Sequence, residues 1–313
     1  MSRKAWLQLV LPLIGLSILF WLLAFAPGEK HHQPLLEMSV ILRDGDGAVS
    51  TMRKGMEQAA QDLNVELRFL IPAEDNSAAQ QAQLLEREVA GAASAVLLIP
   101  ADREALGDAV SAAAGKTTLV TVETDMTAWG AAASITMDHQ ELGAALGAAA
   151  LNGVPEGGTV LLLDSLPGDN GIRERMEAAK AVLERGGRQA RVYKWDPDTT
   201  SLPDILRIER PRAIIAFEAA ALADVAELSR GEDAFPLLYG CGSTASIAAA
   251  LEKGRVTAIT AVNVFSAGYL AVEAAAALAR HEDWTAAAPV AFSIVRQETM
   301  YDSDNQKLLF PVT

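Results

Sequence analysis

The sequence predicts an α/β fold: two doubly wound parallel-sheet lobes joined by a multi-strand hinge, preceded by a transmembrane helix. Three observations carry this expectation. Short apolar runs of strand length alternate with amphipathic stretches of helical length. The alternation starts again after the glycine-rich punctuation between Gly153 and Gly158. At 313 residues, half of them apolar, the chain can bury two cores. The expected division is an anchor and tether over 1–36, a first lobe of 37–137 with 264–290, and a second lobe of 138–263 with 291–313.

From Ala5 to Ala26 there is no charged residue, which matches the roughly 20 apolar residues that cross a bilayer. Arg3 and Lys4 precede this run, so the amino terminus is expected in the cytoplasm and the remainder outside the cell membrane. A cleaved signal peptide is the rival reading. Ala24-Phe25-Ala26 has the small-x-small form of a cleavage site, although Pro27 would follow the scissile bond. Residues 27–36 form a polar tether, and His31 and His32 on it read as solvated side chains rather than metal ligands.

The first lobe opens with a strand at Val40 to Leu42, a turn broken by Gly45 and Gly47, and a helix from about Val49. Met52, Met56, Ala59 and Leu63 fall on one helical face, with Arg53, Lys54 and Glu57 toward water. The turn Arg43-Asp44-Gly45-Asp46 therefore lies at a strand's carboxyl end, where open α/β sheets bind ligands. Strands follow at 65–71, 95–99 and 118–122, with helices at 78–89 and 104–113. Right-handed crossovers put Asp102, Arg103, Glu123, Thr124 and Asp125 on that same edge.

An extended piece at 134–137 leads through Asp138 into a helix at 142–151. In the second lobe, strands at 159–163, 191–193, 213–216, 237–239 and 257–261 alternate with helices at 172–183, 202–208, 220–228 and 247–251. A helix at 266–279 and an extended segment at 289–295 remain. Such leftover elements mean that the chain crosses back between lobes, which makes a hinge and a ligand cleft.

Composition excludes several functions. A net charge of −14 argues against nucleic acid, whose phosphates need Lys and Arg. The single cysteine, Cys241, rules out an intrachain disulfide and a cysteine zinc cluster, and reads as a small core residue. No G-x-S-x-G, H-E-x-x-H or P-loop pattern occurs, so neither a catalytic set nor a metal or cofactor site is expected. In GGTVLLLDSLPGDNG the glycines shape a turn and a helix start, because the Lys-Ser/Thr pair of a phosphate loop is missing.

Asp46, Arg43, Glu123, Arg175 and Glu218 offer fixed donors and acceptors for a cationic or hydroxyl-rich ligand. The alternative is that the carboxylates cap helices or pair with Arg43, Arg103 and Arg173. Trp195, in YKWDPD, is either a stacking face from the second lobe or an ordinary surface aromatic.

GMEQAAQDLNVEL, VLLIPAD, SITMDHQELG, IRERMEAAKAVL and LEKGRVTAIT occur in order and at suitable separations. With them, about residues 38–300 resemble the type I periplasmic binding proteins, the ribose- and galactose-binding superfamily that also supplies the sensor half of lactose-repressor-like regulators. The resemblance implies that Asp46, Glu123, Arg175, Glu218 and Asn263 are ligand contacts. It also marks departures. The sugar-stacking aromatics fall near Ala48 and Val49, Thr124 replaces an arginine, and an aspartate of the family falls near Cys241 and Gly242. The implied function is a membrane-anchored solute-binding protein outside the cytoplasm, closing on a small polar ligand, foremost a sugar or polyol. Its partner would be an ABC permease or a sensor protein. The alternative is a ligand-sensing or non-binding interaction module for a membrane signalling partner.

Overall fold

Two sheets form, because apolar runs that are covered by helices on both faces can only be satisfied as central parallel strands. The computed structural model describes residues 34–45, 47–91, 93–167, 169–196, 201–230, 235–285 and 288–310. The expected membrane helix and Asp46 lie outside the described residues. Among those described, no helix is long and apolar enough to cross a membrane.

The first sheet comprises β1 (Leu36–Ile41), β2 (Val65–Leu70), β3 (Ala95–Leu98), β4 (Thr118–Glu123) and β5 (Ala133–Thr136), all parallel, in the order β2-β1-β3-β4-β5. Helices α1 (Gly47–Asp62), α2 (Ala78–Ala90) and α3 (Arg103–Ala113) connect these strands. The central β3, AVLL, is buried throughout, whereas the edge strand β2, VELRFL, alternates between covered and exposed positions. On α1, Met52, Met56 and Ala59 are buried, and Arg53 pairs with Glu57 at 2.8 Å on the solvent side.

The second sheet comprises β6 (Thr159–Asp164), β7 (Gln189–Lys194), β8 (Ala213–Ala216), β9 (Leu237–Cys241), β10 (Ala258–Val262) and β11 (Phe292–Val295), in the order β11-β10-β9-β8-β6-β7. Only β11 runs antiparallel to its neighbour. Its helices are α4 (His139–Gly153), α5 (Asn170–Arg185), α6 (Leu202–Glu209), α7 (Ala219–Leu228) and α8 (Ala245–Glu252). A further helix, α9 (Val264–Ala279), returns to the first sheet, where Ala267, Ala271, Val272 and Ala275 join Met38, Val40 and Met56 in one core. The chain then goes back to β11 and ends its described part with α10 (Ser303–Leu309). Three passages between the sheets result: β5 to α4, β10 to α9, and α9 to β11.

Several boundaries differ from the sequence reading for local reasons. The helix expected from 142 begins at His139, because the Asp138 carboxylate accepts a 2.8 Å bond from Glu141 N and caps the earlier turn. The strand expected at 191–193 extends to 189–194, with an edge pattern in which exposed polar residues pair along β6. Helix α10 was not expected. Its sequence, SDNQKLL, is short and polar, and only Leu309 in it is buried.

Candidate ligand site

The carboxyl ends of both sheets face one cavity of about 120 Å³. From the first sheet come Arg43 after β1, Glu123 at the end of β4 and Thr124 after it; from the second come Asp169 at the cap of α5, Arg175 on α5 and Glu218 after β8. Cys241 at the end of β9, with Gly242, Ser243 and Thr244 after it, also lines the cavity. Among the described residues no Phe, Tyr or Trp lines the cavity.

Arg43 is the electrostatic centre. Its guanidinium lies 2.8 Å from Glu123 Oε2, 3.3 Å from Asp169 Oδ2 and 3.2 Å from Asp44 Oδ2. The attraction of Glu123 foremost, with Asp169 and Asp44, outweighs burial and fixes the arginine in its charged form. Because Asp169 belongs to the second lobe, this cluster spans the cleft. Asp169 is held in turn as the cap of α5, where it accepts from Ile172 N at 2.7 Å.

Glu123 sits at φ 70°, in the left-handed region. A non-glycine residue there carries strain of about 1–3 kcal/mol, which persists only where the surroundings impose it. Here the surroundings are Arg43 on the side chain and His139 on the backbone, whose Nε2 lies 3.1 Å from the Glu123 carbonyl oxygen. A carbonyl only accepts, so Nε2 carries the hydrogen and Nδ1 is a bare acceptor. Burial, and then the positive charge of Arg175, hold the His139 imidazole below its ordinary value. The neutral form is the one this position favours.

Arg175 donates through Nε to Gly171 O at 3.2 Å. Among the described residues it forms no carboxylate pair, and it lines the cavity. Glu218 caps α7, accepting from Ala220 N at 2.6 Å and Ala221 N at 3.1 Å, while Ser165 Oγ donates to it at 3.4 Å.

The sequence matches the family model for a periplasmic binding protein domain over residues 39–283. The chain belongs to the periplasmic binding protein family. Its fold agrees with solved structures of low identity. A carbohydrate-transporter solute-binding protein from Agrobacterium radiobacter, in complex with D-arabinose, superposes with a TM-score of 0.82 at 19% identity, covering 88% of this chain and 99% of that one. An ABC-transporter solute-binding protein from Agrobacterium vitis with bound D-fucose gives 0.81 at 17%, covering 88% and 100%. The XylFII-LytSN complex gives 0.77 at 14%, covering 85% and 99%. No curated protein matches the sequence. The family is one of binding proteins, not of enzymes.

Within that family frame, the structure brings Arg43, Glu123, Thr124, Arg175 and Glu218 to one cavity. Both bland alternatives for the carboxylates are also realised, since Glu123 pairs with Arg43 and Glu218 caps a helix. Asn263 does not line this cavity; it caps α9, accepting from Ser266 N at 3.0 Å. Trp195 is only 4% exposed and packs with Leu161, Leu163 and Leu202 inside the second lobe, so the core claims its ring. Nothing is described for Asp46. The aspartate expected near Cys241 and Gly242 would not fit at Gly242, where φ is 124° and a Cβ would lie 2.8 Å from Ala219 Cβ.

Sequence reasoning missed Asp169 as a site residue. Its signal was the Asp-Asn-Gly start of α5, which was read only as turn chemistry. Cys241 is buried as expected, but it also borders the cavity.

Proposed function

We propose that this chain is an extracytoplasmic sugar-binding protein whose two lobes close on a small polyhydroxylated ligand. The observation that carries the reading is a single cavity walled by strand ends of both sheets, where Arg175 forms no carboxylate pair among the described residues. Hydroxyl groups both donate and accept, so they suit a wall that mixes arginine, carboxylate and the Ser243 and Thr244 hydroxyls. The bound D-arabinose and D-fucose of the similar structures support a sugar over a cationic ligand.

In this reading 37–137 with 264–290 and 138–263 with 291–313 move as the two lobes. Asp46 joins the site from the first turn, and Asn263 contributes at the hinge through its cap. The apolar, uncharged run Ala5 to Ala26 supports a membrane anchor behind two flanking cations. Closure would be read by an ABC permease or a sensor protein. The complex between XylFII and LytSN supports a protein partner on a lobe pair of this fold.

One observation favours the second reading, an interaction module that no longer needs a ligand. The 3.3 Å pair between Arg43 and Asp169 already joins the lobes. A thermal-shift screen of the full chain in detergent, against pentoses, hexoses, polyols, amino acids and polyamines, separates the two. A ligand at 100 times its dissociation constant adds about 2.7 kcal/mol of stability. A raised melting point with one sugar class supports the binding reading. A flat response across the panel supports the interaction module.

A further inference from the structure

The cavity between the lobes is small for the ligand class proposed for it. It measures about 120 Å³, whereas sites that enclose small molecules begin at roughly 300 Å³. A side chain of the protein itself takes up the space. Arg43, two residues beyond the end of β1, reaches Glu123 of its own lobe at 2.8 Å and Asp169 of the other at 3.3 Å. These carboxylates line the cavity, and the Arg43 N–H groups hold the acceptor positions that ligand hydroxyls would otherwise fill.

The pair stands where it has leverage. In the first sheet, ordered β2-β1-β3-β4-β5, the chain leaves for the second lobe from β5, three strands away from β1. In the second sheet, two of the passages join at β10 and β11, at one edge, whereas Asp169 follows β6, next to the opposite edge strand β7. An ion pair far from the passages on both lobes resists their separation, which one beside the hinge would not. Asp169 also divides its work between two oxygens. Oδ1 accepts from Ile172 N at 2.7 Å and caps α5, while Oδ2 faces Arg43. Breaking the pair therefore leaves the cap in place.

We infer that Arg43 and Asp169 form an autoinhibitory latch, which holds the lobes together before ligand arrives and must part before ligand enters. The blocking of ligand rests on the sugar-binding reading; the closure does not. The latch reduces the fraction of molecules open to ligand and weakens apparent affinity by the same factor.

The test is pulsed electron double resonance on the full chain in detergent, with spin labels on Asp75→Cys and Val192→Cys. Both positions are exposed, one in the turn after β2 and one on β7, at the sheet edges away from the passages. Without any sugar, the labelled protein should give a short distance, and Asp169→Asn, which keeps an oxygen for the cap, should lengthen it. Arg43→Gln makes the same test from the first lobe if the Asp169 variant does not fold. In stopped-flow mixing with D-arabinose and with D-fucose, Asp169→Asn should raise the association rate at least about fivefold. A distance unchanged by both substitutions, or already long before either, would overturn the latch whether or not a sugar binds. A longer distance with an unchanged association rate would overturn its blocking of ligand. Failure of every sugar in the thermal-shift screen would overturn the sugar-binding reading and leave the distance result to decide the closure.

Discussion

Arg43 is the residue on which the cleft's charge balance turns. Its side chain is 18% exposed, and the carboxylates of Glu123 and Asp169 that it joins are 18% and 11% exposed. Removing one partner of a largely buried ion pair costs about 3–5 kcal/mol, because the charges left behind lose their neutralisation without regaining water. Arg43→Met should therefore lower unfolding stability by about 3 kcal/mol, and adding Asp169→Asn should recover part of that loss; chemical denaturation of both variants checks the coupling. His139 gives a pH test. Its folded value lies below the ordinary 6.5, so the unfolded chain binds the proton first as pH falls. The contribution is complete above about pH 6.5 and is lost as acidification proceeds toward the folded value. His139→Gln should flatten the slope of stability between about pH 7 and 5; an unchanged slope would show that other groups set it.

At the scale of elements, the site depends on how closely α4 approaches α5. A Cβ on Gly143 would lie 2.0 Å from Arg175 O and 2.6 Å from Arg175 Cα, so the two helix backbones touch at the residue that offers its guanidinium to the cleft. Gly143→Ala must push the helices apart. Overpacking of this kind costs about 1–3 kcal/mol, and here it also displaces Arg175. Both the melting point and ligand affinity should fall, whereas a variant that loses stability with affinity intact would separate the packing from the site. The turn after β9 makes the complementary case. Gly242→Asp would place there the carboxylate that the family resemblance leads one to expect near Cys241 and Gly242, yet its φ of 124° and the crowding at Ala219 oppose any side chain. We expect destabilisation of about 1–3 kcal/mol and no gain in binding, measured by thermal melts and titration of the same variant.

For the whole molecule, the fold was legible because its signal is repetitive. Fully apolar runs such as AVLL and AIIA, each short and set between helical stretches, form buried central strands and recur through both sheets. Edge strands and the polar helix α10 were less legible, since one exposed face dilutes the pattern. The site was legible where function follows topology. Arg43 and Glu123 could be placed at strand ends from the order of elements, whereas Arg175 and Glu218 were singled out through the family resemblance. Trp195 was not, because a sequence shows an aromatic but not which side of a strand end buries it. The Arg43–Asp169 bond was also invisible, since 126 residues separate its partners and only the folded lobes bring them together. The central claim is that one ligand is gripped by both lobes, and its most direct test is equilibrium dialysis of a sugar hit against wild type, Glu123→Gln and Arg175→Ala. Loss of a hydrogen bond to a charged group costs about 1.5–3 kcal/mol, so each substitution, one in either lobe, should weaken binding by at least about tenfold. Unchanged affinity in either variant, with the fold intact, would contradict closure on a shared ligand.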